Sequence, residues 1–196
     1  MQDYRSSRIK SSVAPFTIII DSMEQHPFGF TEIAVDKSQL KSSQRRAVDV
    51  GLAEAIIDVP IIFKSLGAGN GDYAIDGMQG RCNIERKSME DCHGTVLGWG
   101  DRRERFKREL ENLASMESAA IVVECSFGDL LATAPERGKK SSAENRKILF
   151  RQILSWQQRY RVPWLFCDSR RMAEITTFRW LEKFFNNQAE LEKEAQ

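Results

Sequence analysis

The chain has 196 residues, 41% hydrophobic and 29% charged, with 29 basic against 28 acidic residues and a formal charge of +1. That is enough chain for one domain with a substantial core, and the composition is that of an ordinary globular protein. No apolar run approaches the ~20 residues a membrane span needs, and the polar start MQDYRSSRIKSS lacks the hydrophobic region of a signal peptide, so no membrane partner is expected.

Residues 1–14 read as a flexible tail. The run Phe16-Thr17-Ile18-Ile19-Ile20 then reads as a buried strand that ends in Asp21, with Glu24 three residues later. Acids at the carboxyl end of a strand sit where open α/β sheets build their sites. Gln25–Phe30 reads as a turn, and residues 36–50 as a mobile loop, a short helix or, equally, a plain surface loop. Val59–Leu66 reads as a strand. Gly67, Gly69 and Gly71 follow it without the lysine and the serine or threonine of a phosphate-binding P-loop.

The segment GDYAIDGMQGRCNIERKSMED, residues 71–91, carries the strongest signal. Its turn-forming run Asp76-Gly77-Met78-Gln79-Gly80 predicts a hairpin centred on Met78 and Gln79. That register sets Tyr73 opposite Ile84 and Asp72 opposite Glu85. Directly opposed residues lie about 4.5–5.5 Å apart at Cβ, where two like charges repel. A divalent cation between them turns that cost into a binding site. Strand alternation puts Lys87 on the face of Glu85 and Arg86 on the other. Two carboxylates and a lysine on one strand surface suit a hard metal ion, Mg2+ or Mn2+, and metal-assisted hydrolysis of a phosphodiester. Ser88 with Asp91 three residues on forms a capping-box arrangement. Asp91 is therefore either structural or a support for Lys87 or Arg86.

Asp101 and Glu104 predict the start of the next helix, with Phe106, Leu110 and Leu113 as its buried stripe. Arg102, Arg105 and Glu109 are placed on another face, with an Arg105–Glu109 pair expected there. Ala119–Glu124 reads as a buried strand and Thr133–Ser142 as a loop broken by Pro135 and Gly138. Ser141 and Glu144 cap a long helix with Leu149, Ile153, Trp156 and Tyr160 on its core side. After Pro163 come the strand Trp164–Cys167 and a last helix burying Ile175, Phe178, Leu181 and Phe185. Trp156, Trp164 and Trp180 read as core. Residues 187–196 read as a polar tail. The fold class is α/β, with three layers and a mixed central sheet flanked by helices.

Near-neutral charge counts against nucleic acid until its distribution is considered. Residues 136–161 hold eight bases, among them Lys139, Lys140 and Arg146, against Glu136 and Glu144. One region can grip phosphate while the acid cluster grips metal. Lys139 and Lys140 just before a helix N-terminus are expected to contact a phosphate backbone. Cys82, Cys92, Cys125 and Cys167 are dispersed, which indicates neither zinc nor disulfides. Reduced thiols point to a cytoplasmic protein, or a nuclear one in a eukaryote.

The motifs GDY and ERK-x-x-x-D, preceded by an acid pair after the first strand, resemble the nuclease domain of the XPF family of structure-specific DNA endonucleases. The resemblance covers residues 16–186, within a nuclease domain placed at 15–186. Met23 stands where that family usually has an arginine, and the helicase and helix-hairpin-helix modules are not present in this sequence. The resemblance implies a restriction-endonuclease-like core that cuts branched or flapped DNA in repair or recombination, with Mg2+ or Mn2+. It implies Asp72 and Glu85 as metal ligands, Asp21 and Glu24 completing the acidic cluster, and Arg86, Lys87 and Asp91 in the catalytic motif. Lys87 would orient the attacking water or steady charge on the phosphorus oxygens. Arg102, Arg103 and Arg105 would be the arginines that approach DNA, and a homodimer or a partner protein is expected. The alternatives are a catalytically weak DNA-binding subunit and another restriction-like nuclease such as a junction resolvase. Inactive partners of this type have lost site acids or the lysine, whereas Asp72, Glu85 and Lys87 are all present here.

Overall fold

Short, near-continuous hydrophobic runs, buried on both faces, dictate the central sheet, and the sheet dictates the layers. The computed structural model describes residues 7–9, 13–36, 40–49 and 53–194. The strands are β1 (Ser7–Ile9), β2 (Ile18–Ile20), β3 (Ile33–Ala34), β4 (Ala53–Ile57), β5 (Ile61–Phe63), β6 (Tyr73–Ile75), β7 (Cys82–Lys87), β8 (Ser118–Val123) and β9 (Trp164–Phe166). The helices are α1 (Ser42–Asp49), α2 (Met89–Val96), α3 (Arg102–Ala114), α4 (Phe127–Ala132), α5 (Ser142–Tyr160) and α6 (Arg170–Glu194).

A six-stranded sheet runs β5-β2-β6-β7-β8-β9, and a small sheet β1-β4-β3 stands apart. β6 is antiparallel to both β2 and β7, whereas β7, β8 and β9 run parallel, so the sheet is mixed. Along β8 the side chains alternate between two cores. Ala120 and Val122 join Phe16, Ile18, Tyr73, Ile84 and the α6 residues Phe178 and Leu181. Ala119, Ile121 and Val123 join Phe106, Leu110 and Leu113 of α3 and Leu149, Ile153 and Trp156 of α5. The result is helix, sheet, helix in three layers, as the sequence predicts.

The hairpin has the expected register, with Tyr73 opposite Ile84 and Ala74 opposite Asn83. Both Tyr73 and Ile84 belong to the α6-side core, so Asp72 and Glu85 share the opposite face. Beyond Tyr73 the ladder changes, because the Asp72 N–H donates to the Ile84 carbonyl at 2.8 Å. Gly71 makes that approach feasible: its φ is +80°, and a Cβ there would sit 2.8 Å from the Ile84 oxygen.

Several expectations meet a different structure. α6 does not stop near residue 186; it runs to Glu194, with Arg81 donating to Gln188 at 2.8 Å, so residues 187–194 of the expected polar tail continue that helix, and residues 195–196 lie outside the described residues. Within the expected N-terminal tail, Ser7–Ile9 pairs in parallel with β4, while residues 1–6 and 10–12 lie outside the described residues. The 36–50 segment contains helix α1, with residues 37–39 and 50 outside the described residues. Ile175 and Phe185 are only partly buried. Among the described residues no helix is long and apolar enough to cross a membrane.

Candidate active site

Parallel strands β7 and β8 end together, and the chain returns from β2 beside them. Their carboxyl ends converge on a cleft of about 530 Å³ whose walls include Asp21, Glu24, Asp72, Glu85, Lys87 and Glu109. Alternation along β7 sorts its last three residues. Glu85 and Lys87 point toward α3, and Arg86 points to the other side; all three are less than a tenth exposed. Burying charges this deeply is costly unless each has a partner.

On the α3 side, Lys87 Nζ donates to Glu85 Oε1 at 2.7 Å and lies 4.4 Å from the centre of the Phe106 ring. Asp72 and Glu109 also make hydrogen-bond contacts with Glu85. Burial first, and then the Glu85 charge, raise the carboxyl groups of both Asp72 and Glu109 well above the usual carboxylate range. Burial acts on Glu85 the same way, but Lys87 and the surrounding hydrogen bonds outweigh it and hold Glu85 below its ordinary value. Glu85 thus holds its proton least tightly of the three, and its two acidic neighbours hold theirs more tightly than an ordinary carboxyl does. One oxygen of Asp72 also accepts the Arg86 N–H at 2.7 Å, which fixes the side chain across the hairpin.

On the other side, Arg86 joins Glu24 at 3.1 Å and Glu124 at 2.8 Å. Arg170 of α6 also binds Glu124 and donates to the carbonyls of His26 and Pro27. The Tyr73 hydroxyl accepts the Phe28 N–H at 2.9 Å, and the two rings stack at 5.2 Å. Tyr73 and Arg86 therefore tie the loop carrying Glu24 to the hairpin carrying Asp72. Asp21 accepts the N–H of Met23 at 2.7 Å and that of Leu66 at 2.6 Å. It anchors the loop after β5 to the end of β2.

The expected residues thus divide. Asp72, Glu85 and Lys87 form one cluster, while Glu24 lines the same cleft but is held by Arg86. Asp91 accepts the Ser88 hydroxyl, donates its backbone N–H to the same Ser88 cap of α2 and faces Arg102 at 3.7 Å, so it supports neither Lys87 nor Arg86 directly. Arg103 turns back to the Val96 carbonyl at the end of α2. Arg105 pairs with Asp101 at 3.2 Å, not with Glu109, and the Asp101 side chain makes no capping bond. Lys139 and Lys140 lie in an exposed turn closed by Arg137 and Lys140 backbone bonds, and Arg146 donates to the Leu131 carbonyl. None of these three lines the cleft.

Glu109 is the member that sequence reasoning places on the wrong face. Its spacing held the signal: it lies three residues after Phe106 and four before Leu113, along the edge of the buried stripe. A charge in that position needs a buried partner or a ligand.

Oxygen donors without a histidine or thiolate suit a hard cation. Among the described residues no three acidic, histidine or cysteine side chains already converge as a coordination shell. Mg2+ does not require one, since it is commonly held by one or two carboxylates with water and substrate phosphate completing its shell.

Neither a protein-family model nor a curated protein sequence matches the chain. Among solved structures, XPF from Aeropyrum pernix is similar over 90% of this chain and 69% of its own, at 16% identity and a TM-score of 0.53. The complex of XPF from Aeropyrum pernix with DNA is similar over 88% and 66%, at 16% identity and a TM-score of 0.49. The chain therefore has the fold of XPF from Aeropyrum pernix, a mixed six-stranded sheet between helical layers.

Proposed function

We propose that the protein is a divalent-metal-dependent DNA endonuclease that hydrolyses phosphodiester bonds, acting on branched or flapped DNA. The observation that carries this reading is the group Asp72, Glu85, Lys87 and Glu109, in which Glu85 and Lys87 at the end of β7 are buried and Asp72 and Glu109 beside them are partly buried, open to a cleft. The shared fold is consistent with it, and the sequence motifs GDY and ERK-x-x-x-D fall on the residues that meet there.

Asp72 and Glu85 would hold Mg2+ or Mn2+, with Glu109 beside them. The bound ion would supply Lewis-acid polarisation of the phosphodiester and make a bound water more acidic, so that it yields hydroxide more readily at neutral pH. Lys87 contributes a fixed positive charge. Burial disfavours that charge, but Glu85 more than compensates and keeps the ammonium protonated. A permanently charged lysine is suited to steadying charge on the phosphorus oxygens and to orienting water, not to removing a proton. Phe106 beneath it and Glu85 beside it restrict its motion, so little reorganisation is needed when charge develops. Arg86, locked between Glu24 and Glu124, keeps the Glu24 loop against the cleft.

The test is incubation with Mg2+ and a panel of end-labelled flap, fork, four-way-junction and plain duplex DNAs. Cutting of flaps or forks in preference to duplex is expected. Failure to cut any of them with either Mg2+ or Mn2+ would refute the reading, and preference for the four-way junction would move it to a resolvase.

A further inference from the structure

Arg86 points away from Lys87, and two carboxylates share its guanidinium. Nη1 donates to Glu124 Oε1 at 2.8 Å. Nη2 and Nε donate to Glu24 at 3.1 and 3.4 Å, and the longer of these is at the limit of a hydrogen bond. Glu24 is therefore the looser partner. The side chains of Arg86, Glu24 and Glu124 are 6%, 7% and 13% exposed, so little water is at hand to replace a carboxylate that leaves.

The two carboxylates stand in different places. Glu24 and Arg86 line the cleft of the candidate active site, whereas Glu124 is not among the residues of its walls. Glu124 follows the last residue of β8, and its N–H donates to the Lys87 carbonyl at 3.0 Å. Strand alternation turns it to the α6 side with Ala120 and Val122, the side to which Arg86 points. Arg170, at the start of α6, donates to the same Glu124 oxygen and also holds the carbonyls of His26 and Pro27. Two cations and two anions thus balance behind the cleft. A cation in the cleft that draws the Glu24 carboxylate takes one partner from Arg86. A buried guanidinium without any partner is strongly destabilising, so Glu24 can serve an ion only if the second carboxylate stays.

We propose that Glu124 is a positioning residue for the metal cleft: it keeps Arg86 paired and so makes the Glu24 carboxylate available to a divalent cation. The proposal rests on the nuclease reading. Glu124 itself touches neither the ion nor DNA. Without its charge, Glu24 is the one anion left on Arg86 among the described residues, and an ion must compete with that pair.

The experiment follows Mn2+ binding to the full chain, without DNA, by loss of the electron paramagnetic resonance signal of the free ion. The proteins are the wild type, Glu124→Gln, Glu24→Gln and the double variant. Glutamine keeps the shape of the side chain and an oxygen acceptor for both arginines. Glu124→Gln should weaken Mn2+ binding about tenfold in the wild-type background and much less in the Glu24→Gln background, because the two sites share a partner. A charge that acts only at long range would weaken binding by the same factor in both. Equal factors, or no weakening, would overturn the proposal. A second measurement uses the wild type alone. The Nε–H of Arg86 donates to Glu24, so at saturating Mg2+ its proton should exchange faster with water, read by nuclear magnetic resonance. An exchange rate that Mg2+ leaves unchanged would also overturn the proposal. A wild type that binds neither ion removes the nuclease reading and the proposal together, whereas equal factors in the two backgrounds remove the proposal alone.

Discussion

Two charged regions of this molecule behave in opposite ways. At the end of β7, Glu85, Arg86 and Lys87 are each less than a tenth exposed and are locked to other charges. In the 136–161 stretch the bases are numerous but mostly exposed, and their contacts are local: Ser141 and Glu144 close a capping box, and Arg137 lies over the Trp99 ring at 4.7 Å. Exposed charges cost a fold almost nothing and need no explanation. Buried charges cost several kcal/mol each unless they are well paired. The contrast supports the chemistry proposed for the first region and at most the phosphate contact proposed for the second.

Substitutions test that contrast most severely at Lys87. Lys87→Ala leaves Glu85 buried without its cation, which should cost ~3–5 kcal/mol of stability. For a chain of this size that corresponds to a fall of about 10 °C in Tm, read by differential scanning calorimetry. Cleavage at a temperature where the variant is folded should fall, while DNA binding changes only modestly. Unchanged cutting by folded Lys87→Ala would reduce Lys87 to a structural ion.

The next effect is a pH dependence. Asp72 and Glu109 bind protons more tightly folded than unfolded. Between the ordinary carboxylate range and their raised values, the folded state holds more protons, so metal-free stability falls as pH rises through that window. Above the raised values the loss is complete. A cation that replaces those protons stabilises the fold more at high pH, so 10 mM Mg2+, about a cellular excess, should raise Tm more at pH 8 than at pH 6. Glu109→Gln should flatten the metal-free pH dependence. The reverse order of the Mg2+ effect would contradict the arrangement of protons described above.

The smallest effect should come from the exposed region. Ser141→Ala removes the cap of α5 and should cost ~1 kcal/mol, with cutting of saturating DNA unchanged. Lys139→Ala/Lys140→Ala should weaken binding to all DNA sequences alike and leave the cleavage rate at saturation near its original value. A loss of turnover in either would erase the distinction between the two regions.

What the sequence discloses follows the range of each interaction. The hairpin is local: a glycine-marked turn and period-two alternation were enough to set Tyr73 opposite Ile84 and to place Glu85 and Lys87 together. The N-cap at Ser88 and the capping box at Ser141 are equally local. Glu109 reaches Glu85 only because α3 docks across the sheet, and an apparent i,i+4 partner at Arg105 conceals that contact. Glu124 and Arg170, which hold Arg86 and the loop after Asp21, lie on separate elements and carry no spacing signal. The small sheet β1-β4-β3 escapes because strands of two to five residues give too short a pattern. The end of α6 escapes because its polar sequence resembles a tail until Gln188 meets Arg81.

The central claim is that Asp72 and Glu85 together hold the ion on which phosphodiester cleavage depends. It is tested most directly by following cleavage of one labelled forked DNA across a Mg2+ titration, for the wild type and for Asp72→Asn. Asparagine preserves the shape of a side chain that favours its neutral form, so the variant should keep or gain thermal stability. The wild type should cut only with the divalent ion present, and Asp72→Asn should lose more than ~100-fold in rate at every concentration. Wild-type cutting in EDTA, or an Asp72→Asn protein that follows the wild-type titration, would contradict the claim.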